Sequence, residues 1–304
     1  MSVTEAVSMQ APNVVLPEFE THELWRDDFN GPAGECPSVD YMTGPQAAGG
    51  NGRFWVTNIG DGSDGPGPGW GNDELEYYTD SAVRTDGDGN LVITAERTTD
   101  ENGPAGWRDN PRWQYVSGKI TTAHRMAFQY GLIEARMHIP TDIGSWSAFW
   151  LLGESLLAGT AWPECGEIDV VEAVGQRPNE LLGTIHGPGY FAEGGLTRTI
   201  TTEQPLSDGF HTYGVLWLPD EIYWLFDGQV YHHLDSASTG ESPWVFNAPY
   251  YLILNLAMGG TLGGALDDSV DAAKLRVDYV RHCAVQLRSA DGVLGEQIGA
   301  AFQR

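Results

Sequence analysis

The chain has 304 residues, enough to bury one full core, and a single all-β domain of about 200 to 250 residues is an ordinary outcome at this length. A net charge of −26 at pH 7 argues against nucleic acid as a partner, because phosphate binding needs a basic footprint. Glycine (39), proline (17) and tryptophan (11) are abundant, which argues against a helical bundle and suits short strands, many turns and aromatic-lined surfaces.

In chain order, residues 1–20 lack a clear period and read as a lead-in. Residues 22–29 alternate well enough for a first strand, closed by the turn residues Asn30-Gly31-Pro32. Glycine and proline dominate residues 44–71, a long loop region interrupted by the apolar island Phe54-Trp55-Val56. After Asp86-Gly87-Asp88-Gly89, residues 91–96 form a strand. Residues 131–139 put Ile133, Ala135, Met137 and Ile139 on one face and Glu134, Arg136 and His138 on the other, a half-buried β pattern. Residues 146–152 place Trp146, Ala148 and Trp150 on a common face. Further strands are expected over residues 182–186, 211–218, 250–258 and 275–280, with a hairpin over 223–231 turned by Asp227-Gly228. No helical period and no repeat emerge, so the fold class is all-β, a jelly-roll β-sandwich of two antiparallel sheets. Residues 21–287 form its single domain and residues 288–304 a polar C-terminal tail.

The stretch with most chemistry is Trp162-Pro163-Glu164-Cys165-Gly166-Glu167-Ile168-Asp169-Val170-Val171-Glu172, which sets three carboxylates within six residues of a strand. Strict alternation puts Glu167 and Asp169 on one face and Glu172 on the other, with Ile168 and Val170. One extra residue at Val170-Val171, a β-bulge, restores Glu172 to the face of its partners. Two carboxylates so arranged suit retaining glycoside hydrolysis, which needs them about 5 to 5.5 Å apart. A solvated acidic edge strand, or a calcium site, is the bland alternative. Tryptophans beside carboxylates suit sugar rings, whose C–H faces stack on indole, although either tryptophan taken singly is as well explained as core.

Three cysteines, Cys36, Cys165 and Cys283, have no CxxC spacing, so no zinc site or disulfide scaffold follows. Only Lys119 and Lys274 are lysines, which suits either a high-salt surface or a coding bias toward arginine. There is no run of about 18 apolar residues, and no membrane span is expected. No basic segment followed by an apolar one opens the chain, so a secreted enzyme without its signal peptide and a cytoplasmic one look alike.

The Glu167 to Glu172 stretch resembles the signature of glycoside hydrolase family 16 in its bulged form, that of the laminarinases. Trp70-Gly71-Asn72-Asp73-Glu74-Leu75-Glu76-Tyr77-Tyr78-Thr79, residues 131–140, Ala148-Phe149-Trp150-Leu151-Leu152, Gly183-Thr184-Ile185-His186-Gly187-Pro188-Gly189-Tyr190, Leu254-Asn255-Leu256-Ala257-Met258-Gly259-Gly260 and Val277-Asp278-Tyr279-Val280 resemble laminarinase blocks in the same order. The resemblance covers roughly residues 20 to 283 and implies a jelly roll with a concave substrate cleft. It implies an endo-β-1,3-glucanase with Glu167 as nucleophile, Glu172 as general acid/base, Asp169 between them and His186 beside them. For His186 a structural role is the alternative.

By the same resemblance Trp146, Trp150 and Trp162 line sugar subsites, and Asn72, Arg84 and Asn255 are polar candidates, Arg84 being equally well read as a surface residue. Catalysis is expected to need no cofactor. A structural Ca²⁺ is implied at Asp278, Gly89 and Asp28, each of which is otherwise an ordinary surface position. The implied partner is a polysaccharide, with no nucleic acid and no membrane, acting on a monomer outside the cell; a cytoplasmic location is the alternative. Ser145-Trp146-Ser147, the glycine-rich residues 60–69 and Val171 depart from the usual family pattern, and they bear on subsite reach. Rival functions are another family specificity (mixed-linkage glucan, agar or carrageenan), a non-catalytic β-glucan-binding protein, or an acidic calcium-dependent lectin.

Overall fold

Alternating apolar residues along consecutive strands give each strand one buried face, and two sheets close over those faces. The computed structural model describes residues 14–36, 39–41 and 54–304. One sheet runs in the order Gln229–Asp235, Glu221–Phe226, His211–Leu218, Gly131–His138, Ala272–Arg288, Leu91–Arg97, Tyr115–Ser117, Glu76–Tyr78. The other runs Leu196–Thr201, Glu180–His186, Glu167–Val174, Ser145–Gly153, Tyr250–Met258, Lys119–Thr121, Trp55–Thr57, Val39–Tyr41. Pairing is antiparallel except for two short parallel contacts, Val39–Tyr41 with Trp55–Thr57 and Glu76–Tyr78 with Tyr115–Ser117. The jelly-roll sandwich expected from the strand pattern is what forms. Helix among the described residues amounts to one α turn, Gly260–Gly263, and short 3₁₀ turns.

The core lies between the sheets. Phe149, Leu151, Ile168, Val170, Val171, Leu252 and Leu254 enter it from one side, and Ile133, Val215, Trp217, Trp224 and Leu275 from the other. Burying such side chains contributes about 1.5 to 3 kcal/mol each. On the outer face of the sheet that holds Glu167–Val174, polar side chains lie beside a smaller apolar cluster of Leu152, Cys165, Tyr251 and Ile253.

One sequence expectation of the fold changes and others go untested. The reading of residues 1–13 and of residues 42–53 lies outside the described residues. The polar segment expected as a tail is woven into both sheets: Leu294–Ile298 pairs with Ala272–Arg288, and Ala300–Gln303 pairs with Met126–Gln129. Arg304 then forms a salt bridge with Glu154. Those strands bury little side-chain surface, so their sequence lacks the apolar alternation that betrays a strand.

Candidate active site

The acidic strand, Glu167–Val174, lies in the middle of its sheet, between Glu180–His186 and Ser145–Gly153. Against Ser145–Gly153 the register runs Trp150 to Asp169, then Phe149 to Val171, so Val170 is an inserted residue. Against Glu180–His186 it jumps from Asp169 opposite Thr184 to Glu172 opposite Leu182. This is the expected bulge. Val170 and Val171 both enter the core, at 1% and 0% exposure, and the strand resumes alternation with Glu172 facing out. Three carboxylates therefore share the face opposite the core.

Each carboxylate has a named neighbour. Trp162 Nε1 donates to Glu167 Oε2 at 2.8 Å, and Trp146 Nε1 donates to Glu172 Oε1 at 3.1 Å. Asp169 Oδ2 lies 3.2 Å from His186 Nε2. Donor atoms of Glu167, Asp169 and His186 all fall within 4.8 Å of one another, the one such trio among the described residues. Asp169 and His186 are within hydrogen-bond reach of each other, and a cation could also be held by the same three groups.

Burial pushes all three acids up, because it disfavours charge. Glu167 rises to about 8, mainly by desolvation and then by the negative charge of Asp169, with His186 and the Trp162 hydrogen bond opposing. Glu172 rises to about 7 by desolvation and the charge of Glu167, opposed by His186 and the indole of Trp146. Asp169, 3% exposed, is pushed well above the usual carboxylate range by burial and the charge of Glu172. The trio thus titrates as a unit and retains protons near neutral pH. A site of this kind offers a carboxylate and a carboxylic acid at once.

The flank of the site is a row of cross-strand neighbours. Glu172 faces Ala148, Ala148 faces Asn255, and Asn255 faces Lys119. Neighbouring strands lie about 4.8 Å apart, so the row spans about 14 Å, the length of a few sugar units. Asn255 accepts from Trp150 Nε1 at 2.8 Å and donates to the Tyr78 hydroxyl at 3.1 Å. Asn72 donates to Glu74 Oε1 at 3.1 Å and Tyr78 to Glu74 Oε2 at 3.1 Å. Trp146, Trp150, Trp162 and Asn255 accordingly meet the carboxylates or the row leading from them, and Asn72 reaches the row only through Glu74 and Tyr78.

Arg84 does not join them. Its strand neighbour is Val92 on the other sheet, and its guanidinium donates to the carbonyls of Asp80 and Val83. Because Val83 and Thr85 are buried, the residue between them points away from the core on that sheet. The surface alternative describes it.

Several side chains of the site escaped the sequence reading. Glu74, Glu76, Tyr78, Trp70 and Lys119 meet at the far end of the row, where the Lys119 ammonium lies 4.1 Å from the Trp70 ring centroid and 5.0 Å from that of Trp150. Glu76 is fully buried and accepts from the Met258 backbone at 2.7 Å. The equal parity of Glu74, Glu76 and Tyr78 was the available signal, since i, i+2 and i+4 share a strand face.

The cation site implied for Asp278, Gly89 and Asp28 finds its carboxylates engaged. Asp278 Oδ2 is 2.6 Å from Arg136 Nη1, and Asp28 Oδ1 is 2.6 Å from Arg26 Nε. Gly89 lies at a left-handed turn (φ +85°) beside the Asn30 side chain. An arginine already pairs with each acid, so the structure does not show a Ca²⁺ site there.

Known proteins resemble this chain in sequence and in fold. The Glycosyl hydrolases family 16 matches residues 71–281. Glucan endo-1,3-beta-glucosidase A1 of Niallia circulans is 33% identical over 272 residues, 85% of this chain, which spans only 37% of that longer protein. A beta-glucanase of Rhodothermus marinus is 34% identical over 71% of this chain and 76% of its own length. The laminarinase catalytic domain of Thermotoga maritima superposes with a TM-score of 0.73 at 33% identity, covering 87% of this chain and 98% of that one. With a match over most of the sandwich and the trio in its midst, the chain belongs to glycosyl hydrolase family 16.

Proposed function

We propose that the protein is an endo-acting glycosidase that cleaves β-1,3-glucan of the laminarin type with retention of configuration. The observation that carries this is the bulged strand with Glu167, Asp169 and Glu172 on one face, held between the Trp162 and Trp146 indoles. The glucanase relatives supply the substrate class.

The reactive form has Glu172 protonated and Glu167 ionised, the reverse of the ligand-free order of about 7 against about 8; from it Glu172 gives its proton to the glycosidic oxygen while the Glu167 carboxylate attacks the anomeric carbon. The C–O bond to the leaving chain breaks, and a glycosyl ester on Glu167 forms. Asp169 shares the proton economy of Glu167 and, paired with His186, keeps negative charge from accumulating beside the ester. In the second step the Glu172 carboxylate takes a proton from water, the hydroxide attacks the anomeric carbon, and Glu167 leaves as a carboxylate. Two inversions give net retention. The exposed Trp162 and half-buried Trp150 offer ring faces to the chain, and the Glu172–Ala148–Asn255–Lys119 row sets its direction. A polymer of this size is met outside the cell, and we place the enzyme there as a monomer.

Reducing ends released from laminarin by wild type and by Glu167→Gln test the reading. Release by wild type that falls at least about a thousandfold in the variant supports it. Equal, near-zero release from both, with laminarin still bound, would show a binding protein instead. Cleavage of agar or mixed-linkage glucan but not of laminarin would move the substrate assignment within the family.

A further inference from the structure

A bulge removes some backbone groups from the ladder, and buried carbonyls without a partner are destabilising. At this bulge the partners come from across the core. Trp224 Nε1 donates to the Asp169 carbonyl at 2.8 Å, and the Tyr231 hydroxyl donates to the Val170 carbonyl at 3.4 Å. Both side chains belong to the facing sheet, in the paired strands Glu221–Phe226 and Gln229–Asp235, and both are buried, at 0% and 1% exposure.

Gly183 completes the arrangement. It lies between Thr184, which faces Asp169, and Leu182, which faces Glu172, so it stands opposite the inserted residue. A Cβ there would fall 2.5 Å from Trp224 Cδ1 and 2.6 Å from the Tyr231 hydroxyl. Such contacts are too short, and only glycine leaves room for the two donors.

The apolar pattern already forbids gross slippage of the bulge. Moving it one way would turn Asp169 into the core, and moving it the other way would turn Glu172 inward and Val171 out. What the pattern leaves free is the tilt of the peptide planes at residues 169 and 170. Asp169 rides directly on the first of those planes, and Glu172 follows the second through the intervening 171–172 peptide.

We propose that Trp224, Tyr231 and Gly183 form an inter-sheet clamp on the bulge that sets the position of Asp169 and Glu172 relative to Glu167. They are positioning residues: they touch neither substrate nor a carboxylate oxygen. The inference rests on the hydrolytic reading of the site. Misplacing a reacting group by about 1 Å lowers turnover by about a hundredfold while leaving remote binding contacts in place.

The test uses the full chain with Trp224→Phe, Tyr231→Phe and Gly183→Ala. Trp55→Phe serves as the comparison, since it removes another buried indole bond between elements, to Asp27 Oδ2 at 2.8 Å, away from the bulge. For each, kcat and KM on laminarin are measured beside the urea midpoint. The clamp predicts that kcat falls about 10- to 100-fold in Trp224→Phe and Gly183→Ala, and severalfold in Tyr231→Phe, with KM within about twofold of wild type. Trp55→Phe loses stability but keeps kcat within about twofold. Folded clamp variants with wild-type kcat overturn the inference, and so does a loss of kcat in Trp55→Phe equal to theirs. If Trp224→Phe fails to fold, Tyr231→Phe decides alone, because it removes a single hydroxyl. A wild type that releases no reducing ends would instead overturn the hydrolytic reading.

Discussion

Glu76 offers a stability measurement that isolates one proton. Its carboxyl is wholly buried, its Oε2 accepts from the Met258 backbone, and burial together with the neighbouring Glu74 charge pushes it well above the usual carboxylate range. The folded protein therefore keeps a proton on Glu76 that the unfolded chain releases above about pH 4.3. Stability falls as pH rises wherever the native state binds more protons, by about 1.4 kcal/mol per pH unit for one proton. Glu76→Gln removes this dependence: the amide oxygen keeps the Met258 bond, and the amide N–H stands where the acid proton stood. Between pH 5 and pH 7 the stability of the variant relative to wild type should rise, bounded by the one-proton slope and reduced by whatever the nearby Lys119 ammonium offsets. Equilibrium urea denaturation of both proteins at the two pH values, at one ionic strength, measures it. A difference in unfolding free energy that stays constant or shrinks between pH 5 and pH 7 would refute an uncharged Glu76.

The other predictions concern the reaction. Glu172→Gln should lower laminarin turnover by about 10²- to 10⁴-fold, the usual contribution of general acid–base catalysis, while initial bond cleavage in an aryl glycoside with a good leaving group suffers much less; equal losses on both substrates would contradict the acid role. Trp146→Phe removes a donor that favours ionised Glu172, which now titrates at about 7, so the alkaline limb of the kcat/KM profile should move to higher pH, and a shift to lower pH would contradict the assignment. Asn255→Ala leaves the Trp150 indole and the Tyr78 hydroxyl without their shared partner, a loss of about 1 to 3 kcal/mol in urea accompanied by a raised KM for laminarin. Unchanged stability and KM would mean that water replaces the amide.

Much of this site is legible along one strand. Parity alone separates Glu167 and Asp169 from Ile168, and the refusal of Glu172 to enter a core predicts the insertion at Val170. The strands over 211–218 and 250–258 are densely apolar and deeply buried, and each ends where its apolar run ends. Where burial is slight the pattern fades, and the strands at 294–298 and 300–303 pass for a tail. The implied cation site is not shown, and its setting was hidden for another reason: a carboxylate in a sequence does not reveal the arginine that reaches it, and Arg136 lies 142 residues from Asp278.

Parity also has a limit at the feature it locates best. It states that a bulge must exist between Asp169 and Glu172, yet it is silent on what satisfies the carbonyls the bulge leaves over. Those partners lie 55 and 61 residues further along, on the opposite sheet, as an indole and a phenol that read simply as core. The glycine that admits them, Gly183, reads as an ordinary member of a strand. An acidic strand in the middle of a sandwich is thus a property of both sheets. One face supplies the carboxylates, and the side chains that hold their backbone come from the far side of the core, so a substitution there can slow the reaction without touching a sugar.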